Sequence, residues 1–122
     1  DNINRASDGT YWMAWLGMRT PSFDLSMRHP AMRKRMARRL PQDDWLFPNI
    51  NTGGVVKFTD TGEILQAFGD LGSQSHPMVT SMREHKGYLY IGGILNNRIG
   101  RLRIDGADPN WTAMDAYWGK RG

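Results

Sequence analysis

Cysteine is absent from the 122 residues, which excludes disulfides, thiolate-held metals and a cysteine nucleophile and leaves the compartment undecided. No apolar run approaches the length of a membrane-crossing helix, and no segment reads as a cleavable signal. There is no glycine-rich phosphate loop and no G-x-S-x-G elbow, and the 3 histidines form no H-E-x-x-H pair. Nucleotide binding, α/β-hydrolase chemistry and zinc hydrolysis therefore lack their usual signatures. Acid is also scarce relative to base, with 12 Asp and Glu against 16 Lys and Arg. The excess is local: Arg28, Arg33, Lys34, Arg35, Arg38 and Arg39 crowd into one short segment.

What is present is a repeat. The stretch 75–93, SHPMVTSMREHKGYLYIGG, follows in outline the pattern of 1–17, DNINRASDGTYWMAWLG. Each copy has an alternating segment, a turn at Asp8-Gly9 or Lys86-Gly87, and a run rich in aromatic and β-branched residues. With the basic segment of about 18–52 set aside, the period falls near the ~40–45 residues of a four-stranded propeller blade. Strands are predicted over Asn2–Ala6, Thr10–Leu16, Gly53–Thr59, Glu63–Phe68, Met78–Arg83, Tyr88–Gly92 and Ile99–Ile104, so the second blade is one strand short. The basic segment predicts one helix from His29-Pro30 to Leu40, where Pro41 stops it. Met32, Met36 and Leu40 give this helix a narrow apolar stripe. Trp45, Leu46 and Phe47 are expected to pin the following loop, and 105–122 to form an irregular tail packed by its aromatic residues.

The order and spacing of several pieces carry a resemblance. These are Asp1-Asn2-Ile3 with Ser7-Asp8-Gly9-x-Tyr11-Trp12, then Gly54-Val55-Val56-Lys57-Phe58 with Asp60-x-Gly62, then Val79-Thr80-Ser81 with Glu84-His85-x-Gly87-x-Leu89-Tyr90-Ile91-Gly92. Over residues 1–104 the chain resembles the C-terminal part of strictosidine synthase-like proteins, and its helical insertion is similar to that of their adipocyte plasma membrane-associated branch. The resemblance implies an all-β fold: about two blades of a six-bladed β-propeller with a short helical insertion, related to gluconolactonases and paraoxonases. On this reading the chain is the C-terminal third of a longer propeller.

The resemblance also implies site residues. In the wider group a calcium ion sits in the central channel, and Asp1 and Asn2 match a ligand pair there. An Asp-Asn step offers one charged and one neutral oxygen to a hard cation, although such a pair also commonly starts a strand by bonding its own backbone. In plant strictosidine synthases the inner strand of the last blade carries a catalytic glutamate, and here that position is Thr80. A hydroxyl cannot serve as a carboxylate base near neutral pH, so amine–aldehyde condensation is disfavoured. Thr80 would instead line the channel, with His76 as a proton carrier or polar wall. His85 is expected to be exposed, and His29 to cap or decorate the helix start.

The function expected of the complete propeller is calcium-dependent hydrolysis of a small ester or lactone, with Asp1 and Asn2 on the metal and His76 and Thr80 at the substrate. The alternative from another class is a non-catalytic binding or scaffolding propeller that uses the basic insertion as its contact surface. Two blades do not close a ring, so partners are expected: the remaining blades, or copies of the chain, with a homotrimer restoring closure. Nucleic acid is not expected as a partner. A membrane surface is set aside because a three-residue stripe offers little area for insertion, and the helix is taken as a solvated lid or channel wall.

Overall fold

In the computed structural model, the residues described are 2–17, 19–41, 53–69, 78–94 and 96–118. They fall into two units, one of strands (1–16 with 52–122) and one of helices (17–51). The strand unit is all-β, with two antiparallel sheets in the up-and-down order of propeller blades. The first sheet contains β1 (Ile3–Arg5), β2 (Tyr11–Trp15), β3 (Gly54–Phe58) and β4 (Ile64–Gly69), hydrogen-bonded in that order. The second contains β5 (Val79–His85), β6 (Tyr88–Gly93) and β7 (Gly100–Arg103). The strand missing from the second blade is thus missing among the described residues as well.

Alternation decides which face is buried. In β2 the side chains of Trp12 and Ala14 point into the core, while Tyr11, Met13 and Trp15 point away from it. Val55 of β3 joins that face, and Val79, Met82 and Leu89 meet it from the second sheet, with Phe68, Ile91 and Leu102 closing the sides. Trp12 and Leu89 are wholly buried, each contributing roughly 2–3 kcal/mol of apolar transfer. On the far side of the first sheet the Trp15 ring lies over Gly54, where a Cβ would come within 2.1 Å of the ring and 2.6 Å of the Phe68 carbonyl oxygen. Glycine is therefore required at 54.

The first hairpin turns at Ser7-Asp8-Gly9, with Gly9 at φ 85°. Asp8 Oδ1 accepts from both the amide and the hydroxyl of Thr10, at 3.1 and 2.6 Å, and Asp8 Oδ2 accepts from Lys57 Nζ of β3 at 2.5 Å. Partial burial raises the affinity of this carboxyl for its proton, but the bonds from Lys57 and Thr10 outweigh it and hold Asp8 below its ordinary range.

The helical unit differs from expectation in having two helices: α1 (Pro21–Arg28) and α2 (Pro30–Arg39). Thr20 caps α1, its hydroxyl accepting from Phe23 N at 3.2 Å, and Pro21 occupies the first turn, where its missing N–H is no loss. His29 ends α1 and begins α2 without a side-chain capping bond. The expectation for Trp45, Leu46 and Phe47 lies outside the described residues. In the tail Trp111 is buried, its carbonyl accepts from Lys86 N at 2.7 Å, and α3 (Asp115–Trp118) follows.

Candidate functional site at the inner strands

The inner strands of the two blades, β1 and β5, run alongside one another and are tied at two levels. Asn2 N–H donates to the Thr80 carbonyl at 3.3 Å, and Asn4 Nδ2 donates to the Met82 carbonyl at 2.8 Å. The second tie lies two residues further along each strand than the first, so the strands run in the same direction, as the inner strands of successive blades must. Asn4 Oδ1 accepts in turn from Arg83 Nη2 at 3.3 Å.

Thr80 sits at a break in the ladder. Val79 pairs with Gly93 and Ser81 with the next residue, Gly92, so β5 carries one extra residue there, a β-bulge. The bulge leaves Thr80 without a partner on β6 and frees its carbonyl to accept from Asn2. It also shifts the inward phase of β5, which buries Val79 and Met82 three apart rather than two. Met78, immediately before the strand, is buried at φ 52°, in the left-handed region that a non-glycine residue occupies only when its surroundings hold it there. Bulges and such backbone positions concentrate where a fold re-aims side chains for a purpose.

The four expected site residues divide accordingly. Asn2 is exposed at the head of β1 and Thr80 half-buried at the head of β5, brought together through their backbones. Asp1 and His76 lie outside the described residues. No cluster of three or more His, Cys, Asp or Glu side chains occurs among the described residues. The oxygen donors at this end, the Asn2 amide and the Thr80 hydroxyl and carbonyl, suit a hard cation in kind but fall short of the six to eight ligands calcium takes.

Several residues here were not singled out from sequence. A cavity of about 450 Å³ beside the inner strands is lined by Asn2, Asn4, Ser81, Arg83, Tyr90 and Tyr117, among others. Arg83 Nη2 donates to the Tyr117 hydroxyl at 2.8 Å, and its guanidinium lies 4.2 Å from that ring's centre, so the tail forms one wall. Glu84 is the larger omission. It is fully buried between the blades, with Oε2 accepting from Trp12 Nε1 at 3.0 Å and Oε1 from Ser7 N at 3.2 Å. An acidic residue two positions after the inward-facing Met82 was the available signal. His85, expected to be exposed, is half-buried: its Nδ1 accepts from Ala113 N at 3.1 Å and its ring meets Tyr90 edge-on.

Comparison with known proteins gives a consistent kinship. Adipocyte plasma membrane-associated protein of Gallus gallus is 32% identical over 110 residues, covering 85% of this chain and 26% of that protein. Its counterpart in Salmo salar is 29% identical over 108 residues, with the same coverage of 85% and 26%. Protein strictosidine synthase-like 1 of Arabidopsis thaliana is 30% identical over 100 residues, covering 77% of the chain and 25% of that protein. The chain therefore spans about a quarter of the length of the curated relatives it matches. No protein-family model matches it, and no solved structure matches it significantly.

Proposed function

Since the chain belongs to the strictosidine synthase-like family, which includes the adipocyte plasma membrane-associated proteins, we propose that it serves a propeller hydrolase acting on small esters or lactones with calcium as cofactor. The observation that carries the reading is the bulge at Thr80, whose carbonyl accepts from Asn2 N–H at the heads of two parallel inner strands. Asn2, with Asp1, would hold the ion through side-chain oxygens, the other ligands coming from outside the described residues. When bound, calcium supplies positive charge beside the substrate carbonyl oxygen.

The chain's own residues then have distinct tasks. Thr80 lines the substrate site and orients the ester by hydrogen bonding. His76 takes the proton of the attacking water as its oxygen bonds to the carbonyl carbon, and returns that proton to the alkoxide as the bond from the carbonyl carbon to the leaving oxygen breaks, releasing the acid and the alcohol or the ring-opened hydroxy acid. Asn4 and Arg83 hold β1 against β5 and so fix the spacing of Asn2 and Thr80. A hydroxyl at position 80 in place of a carboxylate argues against amine–aldehyde condensation.

The test is to assay full-length protein on aryl esters and lactones with and without a calcium chelator, beside Asn2→Ala and Thr80→Val. Hydrolysis that is lost with the chelator and with Asn2→Ala is expected. Undiminished turnover in chelator, or enzyme-dependent strictosidine from tryptamine and secologanin, would overturn the reading.

A further inference from the structure

The cavity beside the inner strands has a charge that ester hydrolysis at Asn2 and Thr80 does not use. Two cross-strand pairs of the second sheet line it side by side, Ser81 opposite Gly92 and Arg83 opposite Tyr90. Alternation along β5 puts these side chains on the face away from the buried Met82 and Glu84. Gly92 keeps the space open, because a Cβ there would come within 2.8 Å of Ser81 Oγ. Asn2 and Asn4 of β1 line the cavity as well, so it lies where the inner strands of two blades meet rather than on the face of one blade alone.

Arg83 is the one charged residue among the described residues that line this cavity. It is half-buried and has no ion pair among the described residues. Both of its hydrogen bonds there leave from Nη2, to Asn4 Oδ1 at 3.3 Å and to the Tyr117 hydroxyl at 2.8 Å. A guanidinium has five N–H groups, so those on Nε and Nη1 are left without a described acceptor. The Tyr117 hydroxyl accepts from Arg83, which leaves its own hydrogen to be donated elsewhere. Stacking of the guanidinium 4.2 Å from the centre of the Tyr117 ring keeps the two groups together. Unused N–H and O–H donors thus gather around a single positive charge, beside the apolar surface of Tyr90, Ile91 and Ile99.

We infer that this cavity binds the carboxylate of a small organic anion, with Arg83 and the Tyr117 hydroxyl donating to it and the Tyr90 ring and Ile99 packing on its apolar part. A planar carboxylate fits the guanidinium fork, and one negative charge balances the one cation; a phosphate dianion would call for a second. An amine would meet like charge. The volume of about 450 Å³ suits a small molecule. Resting on the hydrolase reading, the inference narrows the substrate class to an ester or lactone that also carries a free carboxylate. Position 83 is three residues on from Thr80, roughly 10 Å along the strand, which sets the separation of the two groups.

Isothermal titration of full-length protein with phenylacetate, and with phenylacetamide as its uncharged near-isostere, tests the site without calling on turnover. Phenylacetate is expected to bind at least about tenfold more tightly, and more weakly as salt rises. Arg83→Gln should abolish the preference, and Arg83→Lys should restore only part of it. Should Arg83→Gln loosen β1 from β5, Tyr117→Phe decides, since that hydroxyl takes no part in the tie; it should weaken phenylacetate about tenfold. Turnover is followed separately, with para-nitrophenyl octanoate and with the mono-para-nitrophenyl ester of suberic acid, which adds a carboxylate to the far end of the same chain. Arg83→Gln should lower kcat/KM at least about tenfold further for the suberate than for the octanoate. Selective phenylacetate binding without turnover of either ester would overturn the hydrolase reading and leave the carboxylate site standing. No preference for phenylacetate, a preference that survives in Arg83→Gln, or equal losses on the two esters would overturn the inference.

Discussion

Replacing Glu84 probes the join between the blades. Its carboxylate is wholly buried and accepts from two donors of the other sheet, Trp12 Nε1 within the core and Ser7 N at its margin. Glu84→Ala orphans both. A buried unsatisfied donor costs about 1–3 kcal/mol, so Trp12 falls near the upper end and Ser7, which water can reach, near the lower. Removing the buried polar group returns part of its desolvation cost, leaving a net loss of about 2–4 kcal/mol. Glu84→Gln preserves shape but has a single acceptor oxygen, so one donor must face the new amide N–H group, with a loss of about 1–2 kcal/mol. Pairing Glu84→Gln with Trp12→Phe removes that conflict, and the double variant should be more stable than the sum of the singles by about 1 kcal/mol. Urea unfolding followed by far-ultraviolet circular dichroism reads the parent and every variant without relying on tryptophan emission. A glutamine variant as stable as the parent, or a cycle with no coupling, would refute the reasoning.

Gly54→Ala should lose several kcal/mol or fail to fold, because the new Cβ would meet the Trp15 ring at 2.1 Å and a backbone oxygen at 2.6 Å; a melting temperature equal to the parent's would contradict this packing. The lowered Asp8 carboxyl contributes stability above its unfolded range that is lost as pH falls through the folded value, so the melting difference between parent and Asp8→Asn should narrow on acidification. With Asp8 43% exposed the contribution should be under about 1 kcal/mol, and a difference that widens in acid would be inconsistent with it. The chain should self-associate through sheet faces that leave Ile3 57% and Ile64 70% exposed, with a trimer mass in light scattering supporting ring closure and a stable, cooperatively unfolding monomer ruling it out.

The strands were legible because period-2 alternation and the turns at Asp8-Gly9 and Lys86-Gly87 are local signals, and all seven lie close to their expected positions. The bulge at Thr80 was not, since register depends on which carbonyl meets which amide across two strands. The helix α1 was missed because Phe23, Leu25 and Met27 form no single helical stripe, although Thr20 and Pro21 supply the cap and first turn of a helix. At the site, Asn2 and Thr80 could be picked out as residue types, but their hydrogen bond joins positions nearly 80 residues apart. Glu84 could be noticed in its strand, yet its partners come from another blade.

Two of the ties between β1 and β5 end on main-chain oxygens, those of Thr80 and Met82, which every amino acid possesses, while the third joins the side chains of Asn4 and Arg83. Blade alignment is therefore indifferent to the side chain at position 80. A substitution there can change the chemistry presented at the head of β5 while the scaffold keeps its register. At that position chemical innovation is uncoupled from architecture; at Asn4, whose amide makes the tie, it is not.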